Sequence, residues 1–307
     1  MSGGGKSDLY GVEPASYYLR NGLNQLQFVL PLALAFPLIV TIASQIPIVK
    51  DGATRIFIAI SPAFVWFTAI TLLPHKEERF LYVVYPLITL AAAVMLAYTK
   101  QVLTSMEIPK SLVNTGLLFF LFGTCMLAVS RTLALTLHYG APMQLFRHLP
   151  AGGAENAGLS SKVYVCMGSE WYRYPSSFFL PGPEYRLQFV KSGFDGLLPR
   201  PFEENANGTM VAPKQFNDMN REESDNYWAE PSRCDFFVTM SLDGSWIDNG
   251  LIQQSADAEV PQWQEIRSIP FVDGAKSPAL TRAFFIPTLS HRKNHWARFV
   301  LLQKVRS

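Results

Sequence analysis

The sequence feature that most constrains the fold is a short charged cluster between two long apolar runs. No Asp, Glu, Lys or Arg occurs over residues 56–74 or 80–99. An α-helix needs about 20 mostly apolar residues to cross a bilayer, and both runs are long enough. The sequence therefore predicts a tight turn between two spans, with its ionisable side chains held at the membrane surface: His75, Lys76, Glu77, Glu78 and Arg79.

Further apolar runs in the first half of the chain extend this pattern to a multi-pass membrane region. We predict about four spans within residues 26–138, at 26–49, 56–74, 80–98 and 112–130. The periodicity of the last span continues toward His138, which predicts a helical extension. The preceding residues, 1–25, contain Tyr10, Tyr17 and Tyr18, and such residues suit a membrane interface.

The second half of the chain has the composition of a soluble domain. Residues 151–307 are rich in Pro, Gly, charged residues and Trp. Apolar segments separated by helix-length stretches predict a small α/β domain. The predicted strands are 163–167, 185–190, 234–240, 281–286 and 296–303.

Charged loops and a glycosylation sequon indicate the orientation in the membrane. Four spans place both ends of the region on one side, and the loops that carry Lys50, Arg55, Lys100 and Lys110 lie on the other. The positive-inside rule makes those two loops cytoplasmic. Asn207 begins an Asn-Gly-Thr sequon. We therefore expect residues 1–25, the charged turn and the C-terminal domain to face a lumen or the exterior.

Two of the three cysteines lie in predicted strands of the C-terminal domain. Cys166 and Cys234 pair if this domain faces an oxidising compartment; otherwise they are two buried thiols. The third, Cys125, lies in an apolar run. The sequence shows no metal-ligand spacing, so we expect no metal, and a net charge of +2 gives no reason to expect nucleic-acid binding.

The charged turn has two interpretations from spacing alone. Its residues either cap helix ends and snorkel at the interface, or bind an anionic lipid-linked substrate. In the second case Lys76 or Arg79 holds a phosphate, and His75 or a glutamate transfers a proton. The stretch 168–178 directly follows a predicted strand, so it is either a binding loop or an aromatic packing cluster.

Several motifs together resemble one family of membrane glycosyltransferases. His75-Lys-Glu-Glu-Arg-Phe, entering a span through residues 81–87, resembles the signature of glycosyltransferase family 22. Its members are dolichyl-phosphate-mannose-dependent mannosyltransferases of the endoplasmic reticulum. The chain is most similar to the α-1,2-mannosyltransferases of asparagine-linked glycosylation, on three more stretches: 9–14, 165–178, and 187–190 with 198–202.

The resemblance implies a GT-C type membrane fold and mannosyl transfer from dolichyl phosphate mannose to the dolichol-linked oligosaccharide. It implies a multi-pass protein of the endoplasmic reticulum membrane with a lumenal C-terminal domain and no cofactor. Tyr10 and Glu13 are expected to join the charged turn in binding substrate.

Family members are about twice as long as this chain, and an acidic lumenal loop that no position here matches carries their proposed base. The resemblance therefore implies that the chain is the C-terminal half and leaves its catalytic residue unknown. The alternative function is a non-catalytic, membrane-anchored lumenal module that binds a glycan or a partner.

Overall fold

The computed structural model describes residues 9–43, 50–150, 162–173, 177–193, 197, 221–246 and 263–305. The chain divides into two compact units, residues 1–132 and 133–307. Each unit has a hydrophobic core of its own.

The first unit is built from helices. They are α1 (Tyr17–Leu26), α2 (Val29–Ala43), α3 (Lys50–Leu72), α4 (Arg79–Tyr82), α5 (Tyr85–Ser105) and α6 (Lys110–Tyr139), whose last residues after 132 belong to the second unit. Among the described residues, three helices are long and apolar enough to cross a membrane: Thr54–Leu72, α5 and α6. A fourth span is obtained if α1 and α2, which are bent by 113° relative to each other, count as one broken span.

Two of the predicted spans differ from the structure. The span predicted to start at residue 26 starts as α2 at Val29, because Leu26 ends α1 and Gln27 turns the chain with a positive φ of 49°, and residues 44–49 lie outside the described residues. The run predicted over 80–98 is divided between α4 and α5. Pro86 lies in the first turn of α5 and has no N–H to continue the α4 hydrogen-bond ladder. The span predicted over 112–130 continues to Tyr139, as its periodicity predicted.

Small residues allow the helices of the first unit to pack closely. Gly22 of α1 lies against Leu30 of α2, and a Cβ at Gly22 would come within 2.7 Å of the Leu30 Cδ2 atom. Ala33 on α2 and Ala91 on α5 are fully buried in the same core. Membrane helices associate through such small residues because lipid supplies no hydrophobic force between them.

The described residues of the second unit contain a six-stranded mixed sheet. Its strands are β1 (Val163–Met167), β2 (Tyr185–Phe189), β3 (Phe236–Leu242), β4 (Ser245–Trp246), β5 (Trp263–Val272) and β6 (Trp296–Lys304). The order is β2-β1-β3-β6-β5, and β4 pairs with β3. β1 is parallel to β2 and β3, whereas β6 is antiparallel to β3 and β5.

Both faces of the central strands are buried, which explains their nearly continuous apolar sequences. Along β6, Phe299 and Leu301 enter one core, while Val300 and Leu302 enter the core on the other face. The helix α7 (Ala141–Leu145) belongs to the first of these cores.

One predicted strand is wrong, and two of the observed strands were not predicted. Residues 281–286 do not form a strand; the helix α8 (Ala279–Ala283) starts there after Pro278. The Thr281 hydroxyl donates to Asn294 Oδ1 at 2.7 Å, and the Asn294 amide donates to the Thr281 carbonyl. The polar groups of Thr281 therefore have hydrogen-bond partners without joining the sheet. The unpredicted strands are the two-residue β4 and the longer β5, whose Pro270 is tolerated because β5 lies at the edge.

Cys166 and Cys234 form a disulfide with a Cα–Cα distance of 5.8 Å. Of the two alternatives left open by the sequence, the structure therefore has the bonded pair. Cys166 lies on β1 and Cys234 lies just before β3, so the bond joins two neighbouring strands. Both residues are buried in the second sheet core, where Trp228, Trp246 and Trp263 pack against it.

Candidate functional site

The charged turn lies between the end of α3 and the start of α4. α3 ends at Leu72 and α4 begins at Arg79, so the turn is short and both of its ends are fixed by helices. The indole Nε1 of Trp66 on α3 donates to the Phe80 carbonyl on α4 at 2.7 Å. This hydrogen bond ties the two helices together directly beside the turn.

The N-terminal segment, residues 9–14, is hydrogen-bonded to this turn. The Glu13 N–H donates to the Pro74 carbonyl at 3.1 Å, and the Tyr10 ring lies 5.9 Å from the His75 imidazole. Gly11, whose φ of +94° favours glycine, places its carbonyl 3.0 Å from His75 Nδ1. The structure thus brings Tyr10 and Glu13 to the turn, Glu13 through its backbone.

Lys76 is the buried member of the cluster, with only 6% of its surface exposed. Its ammonium donates to the Glu13 carbonyl at 2.8 Å and to the Leu73 carbonyl. The Leu73 carbonyl is one of the acceptors that remain free at the end of a helix such as α3. Lys76 therefore closes the end of α3 and holds the N-terminal segment, which is a structural use of its charge.

Arg79, Glu77 and His75 form a connected ionic chain. Glu77 Oε1 accepts from His75 Nε2 at 3.0 Å and from the Arg79 guanidinium at 2.8 Å. Arg79 Nε also pairs with Glu77 Oε2, so the contact uses two N–H groups. The Arg79 side chain nevertheless remains 69% exposed. Because a guanidinium carries five N–H donors, three remain for an external anion.

The contacts of His75 and Glu77 favour their charged forms. Both His75 ring nitrogens face an oxygen, and only the protonated imidazole donates to both. The hydrogen bond to Glu77 accordingly raises the pKa of His75, against the effect of burial. Burial raises the pKa of Glu77, but the hydrogen bonds from His75 and Arg79 outweigh it and hold that pKa below its usual value.

Glu78 points to a different set of groups. Burial raises its pKa above the ordinary value, while the positive charge of Arg131 and a hydrogen bond from Gln25 oppose the shift. Sequence reasoning missed Gln25, Arg131 and Trp66 as neighbours of the turn. Arg131 directly follows the span predicted over 112–130, and α6 continues past it.

The loop after β1 contains a buried charged pair. Glu170 is 2% exposed and pairs with Arg173, whose guanidinium lies 4.8 Å from the Tyr172 ring centroid and 4.4 Å from that of Phe271. Phe178, farther along the same stretch, is 86% exposed. The contact of Arg173 with Phe271 of β5, and the burial of Trp171 in the first sheet core, indicate that residues 169–173 pack on the sheet.

Two further sequence predictions concern metal binding and glycosylation. Among the described residues, no group of three or more His, Cys, Asp or Glu side chains is placed to hold a metal ion. Asn207 lies outside the described residues.

The chain is similar to curated proteins from several kingdoms. It is 34% identical to the α-1,2-mannosyltransferase ALG9 of Arabidopsis thaliana, covering 99% of this chain and 51% of that protein. The human ALG9 is 34% identical over 96% of this chain and 50% of its own length. The Saccharomyces cerevisiae ALG9 is 34% identical over 91% of this chain and 47% of its own length.

The chain thus spans about half the length of the curated relatives it matches. No solved structure matches it. The profile of the Alg9-like mannosyltransferase family matches residues 2–181, which include the charged turn and the loop after β1. This match covers more than half of the sequence, and the chain belongs to the Alg9-like mannosyltransferase family.

Proposed function

We propose that this chain acts in the transfer of mannose from dolichyl phosphate mannose to the lipid-linked oligosaccharide of protein N-glycosylation, forming an α-1,2 linkage. In this reaction the bond between mannose C1 and the phosphate oxygen breaks, and a bond to an acceptor hydroxyl oxygen forms. The hydroxyl proton passes to a base, and dolichyl phosphate leaves with its negative charge. The observation that carries the proposal is the exposed guanidinium of Arg79 within a chain of this family.

The contacts of the turn support different roles for its two cations. Arg79 has three N–H groups beyond those used by Glu77, and a guanidinium fork matches a phosphate well. Lys76 is buried on two backbone carbonyls, so we assign it to positioning the N-terminal segment. His75 and Glu77 orient Arg79, because Glu77 bridges the two.

The remaining predicted residues lie on the turn or on the segment bonded to it. Glu78 is half-buried near Arg131, and Tyr10 and Glu13 lie on the segment bonded to the turn. We propose that they shape the binding site for the lipid-linked substrates. No cofactor is part of this proposal.

We further propose that the chain resides in the endoplasmic reticulum membrane in a GT-C type arrangement of about four spans, with the turn and the second unit in the lumen. Three helices in the described part of the chain are long and apolar enough to cross a membrane, or four if the bent pair α1 and α2 counts as one span. The disulfide between Cys166 and Cys234 supports an oxidising compartment for the second unit. The sequon at Asn207 agrees with that side of the membrane.

A chimera tests the proposed activity. The stretch of Saccharomyces cerevisiae ALG9 that matches this chain is replaced by the chain, and the chimera is expressed in yeast lacking ALG9. We expect lipid-linked oligosaccharides to regain the mannose residues that the deficient strain lacks, as measured by mass spectrometry. A chimera of normal abundance and membrane insertion that leaves the glycans short would contradict the proposal and favour a non-catalytic module.

Two arginine variants of the chimera test the site. Arg79→Ala should lower the initial rate of transfer by about 100-fold, since a charge-assisted contact to a developing anion is worth about 2.7–4 kcal/mol. Arg55→Ala is the matched control, because Arg55 is exposed on the same unit near the opposite end of α3. Equal rates for both variants would remove the phosphate-binding role of Arg79.

A further inference from the structure

A second polar site lies in the first unit at the far end of α5 from the charged turn. A cleft of about 620 Å³ opens where α5 ends and α6 begins. α5 has 21 residues, and at 1.5 Å per residue it separates the two ends by roughly 30 Å. We call this the lysine cleft; it is lined by Ala97, Lys100, Gln101, Thr104, Ser105, Lys110 and Asn114.

The lysine cleft offers positive charge without a carboxylate partner. Lys100 and Lys110 are both exposed, and neither forms an ion pair or a side-chain hydrogen bond within the described part of the chain. Glu107 is the one acidic residue in the sequence from Ala97 to Asn114, and it does not line the cleft. The α5–α6 connection thus brings two ammonium groups, ten positions apart in sequence, to one concave surface.

The neutral groups of the cleft also suit an anion. The amides of Gln101 and Asn114 add N–H donors. The hydroxyls of Thr104 and Ser105 already donate to the backbone carbonyls of Lys100 and Val102, which leaves the four lysine and amide side chains as the donors. The cleft is larger than a phosphate needs, so it also has room for the group that the phosphate carries.

The position of the cleft identifies the source of the anion. α5 and α6 are both candidate membrane spans, and the cleft lies at the end of each, where lipid headgroups are found. We propose that the lysine cleft binds the phosphate of an anionic phospholipid headgroup. The lipid is concentrated at this surface, and lysines near an anionic membrane attract its headgroups.

The test measures lipids bound to the full chain purified in detergent. Phosphatidylglycerol or phosphatidylcholine is titrated, and bound lipid is quantified by native mass spectrometry. We expect phosphatidylglycerol to bind more tightly than zwitterionic phosphatidylcholine. Lys100→Gln combined with Lys110→Gln should weaken phosphatidylglycerol binding about 25-fold, because each lysine near such a surface contributes about fivefold.

Two matched controls separate charge from folding. Arg292→Gln with Lys293→Gln removes two exposed charges from the second unit and should leave phosphatidylglycerol binding unchanged. Lys100→Arg with Lys110→Arg keeps the charges and should retain binding to within about threefold. Phosphatidylglycerol binding that survives the glutamine changes would overturn the proposal.

Inorganic phosphate distinguishes a lipid site from a site for a free anion. For a lipid site, millimolar phosphate should displace little phosphatidylglycerol. If phosphate binds the wild-type chain as tightly as phosphatidylglycerol, and the glutamine changes weaken both equally, the cleft is a free-phosphate site and the lipid assignment is wrong.

Discussion

Removal of the disulfide between Cys166 and Cys234 should destabilise the second unit by an amount that depends on the length of the loop that the disulfide closes. The two cysteines are 68 residues apart in sequence. Closing a loop of this length lowers the entropy of the unfolded chain, and the chain-entropy relation gives about 4 kcal/mol of stabilisation at 25 °C. For a unit of this size, that free energy corresponds to a fall of about 10 °C in the melting temperature.

The double variant Cys166→Ala, Cys234→Ala measures this effect without leaving a reactive thiol. Tryptophan fluorescence of the full chain in detergent reports the unfolding, because Trp228, Trp246 and Trp263 pack against the core that contains the disulfide. Cys125→Ala is the control, since Cys125 is an exposed free cysteine in the first unit. It should leave this transition unchanged.

Two results would refute this reasoning. One is a double variant that melts within about 2 °C of the wild type, which is too small a change for a loop of this length. The other is alkylation of all three cysteines in the unfolded, unreduced wild type, because a closed disulfide leaves only Cys125 to react.

Three further predictions concern the ionic groups. Lys76→Met should free the N-terminal segment and speed its cleavage by protease at least tenfold, because two hydrogen bonds from a charged group are lost. An unchanged cleavage rate would show that Lys76 does not hold the segment. The raised pKa of His75 means that its stabilising contribution is complete below about pH 6.5 and is lost as pH rises through the raised value. Amide hydrogen exchange in the N-terminal segment, corrected for intrinsic rates, should therefore increase from pH 6 to 8. His75→Gln should abolish this increase. Glu170→Gln should destabilise the second unit by about 3 kcal/mol in the fluorescence assay, since it leaves the charge of Arg173 without its buried partner. A decrease in the free energy of unfolding below about 0.5 kcal/mol would show that this pair does not stabilise the loop.

The sequence predicted those parts of the fold that depend on local pattern. Long uncharged runs predicted the helices, and apolar runs predicted β1, β3 and β6, because these strands are buried on both faces. The break at Gln27 was not predictable in this way. It depends on the contact between Gly22 and Leu30, a tertiary contact that brings α1 against α2.

Composition alone could not separate the two cations of the turn. Lys76 and Arg79 are three positions apart, and spacing offered either of them as the group that holds a phosphate. The difference comes from two backbone carbonyls that capture the Lys76 ammonium, and their positions depend on the path of the N-terminal segment. The proximity of Glu78 to Arg131 likewise joins residues far apart in sequence, so no local motif contains it.

The titrating groups of the turn together bias it toward binding an anion. A raised pKa keeps His75 positively charged to a higher pH, and a raised pKa keeps Glu78 neutral to a higher pH. Both shifts make the cluster more positive at a given pH. Glu77 is shifted in the opposite direction and stays charged, but its two oxygens are already used by His75 and Arg79. The carboxylate whose pKa is lowered therefore orients the exposed guanidinium, while the raised pKa of Glu78 makes it less often charged than an ordinary glutamate at the same pH.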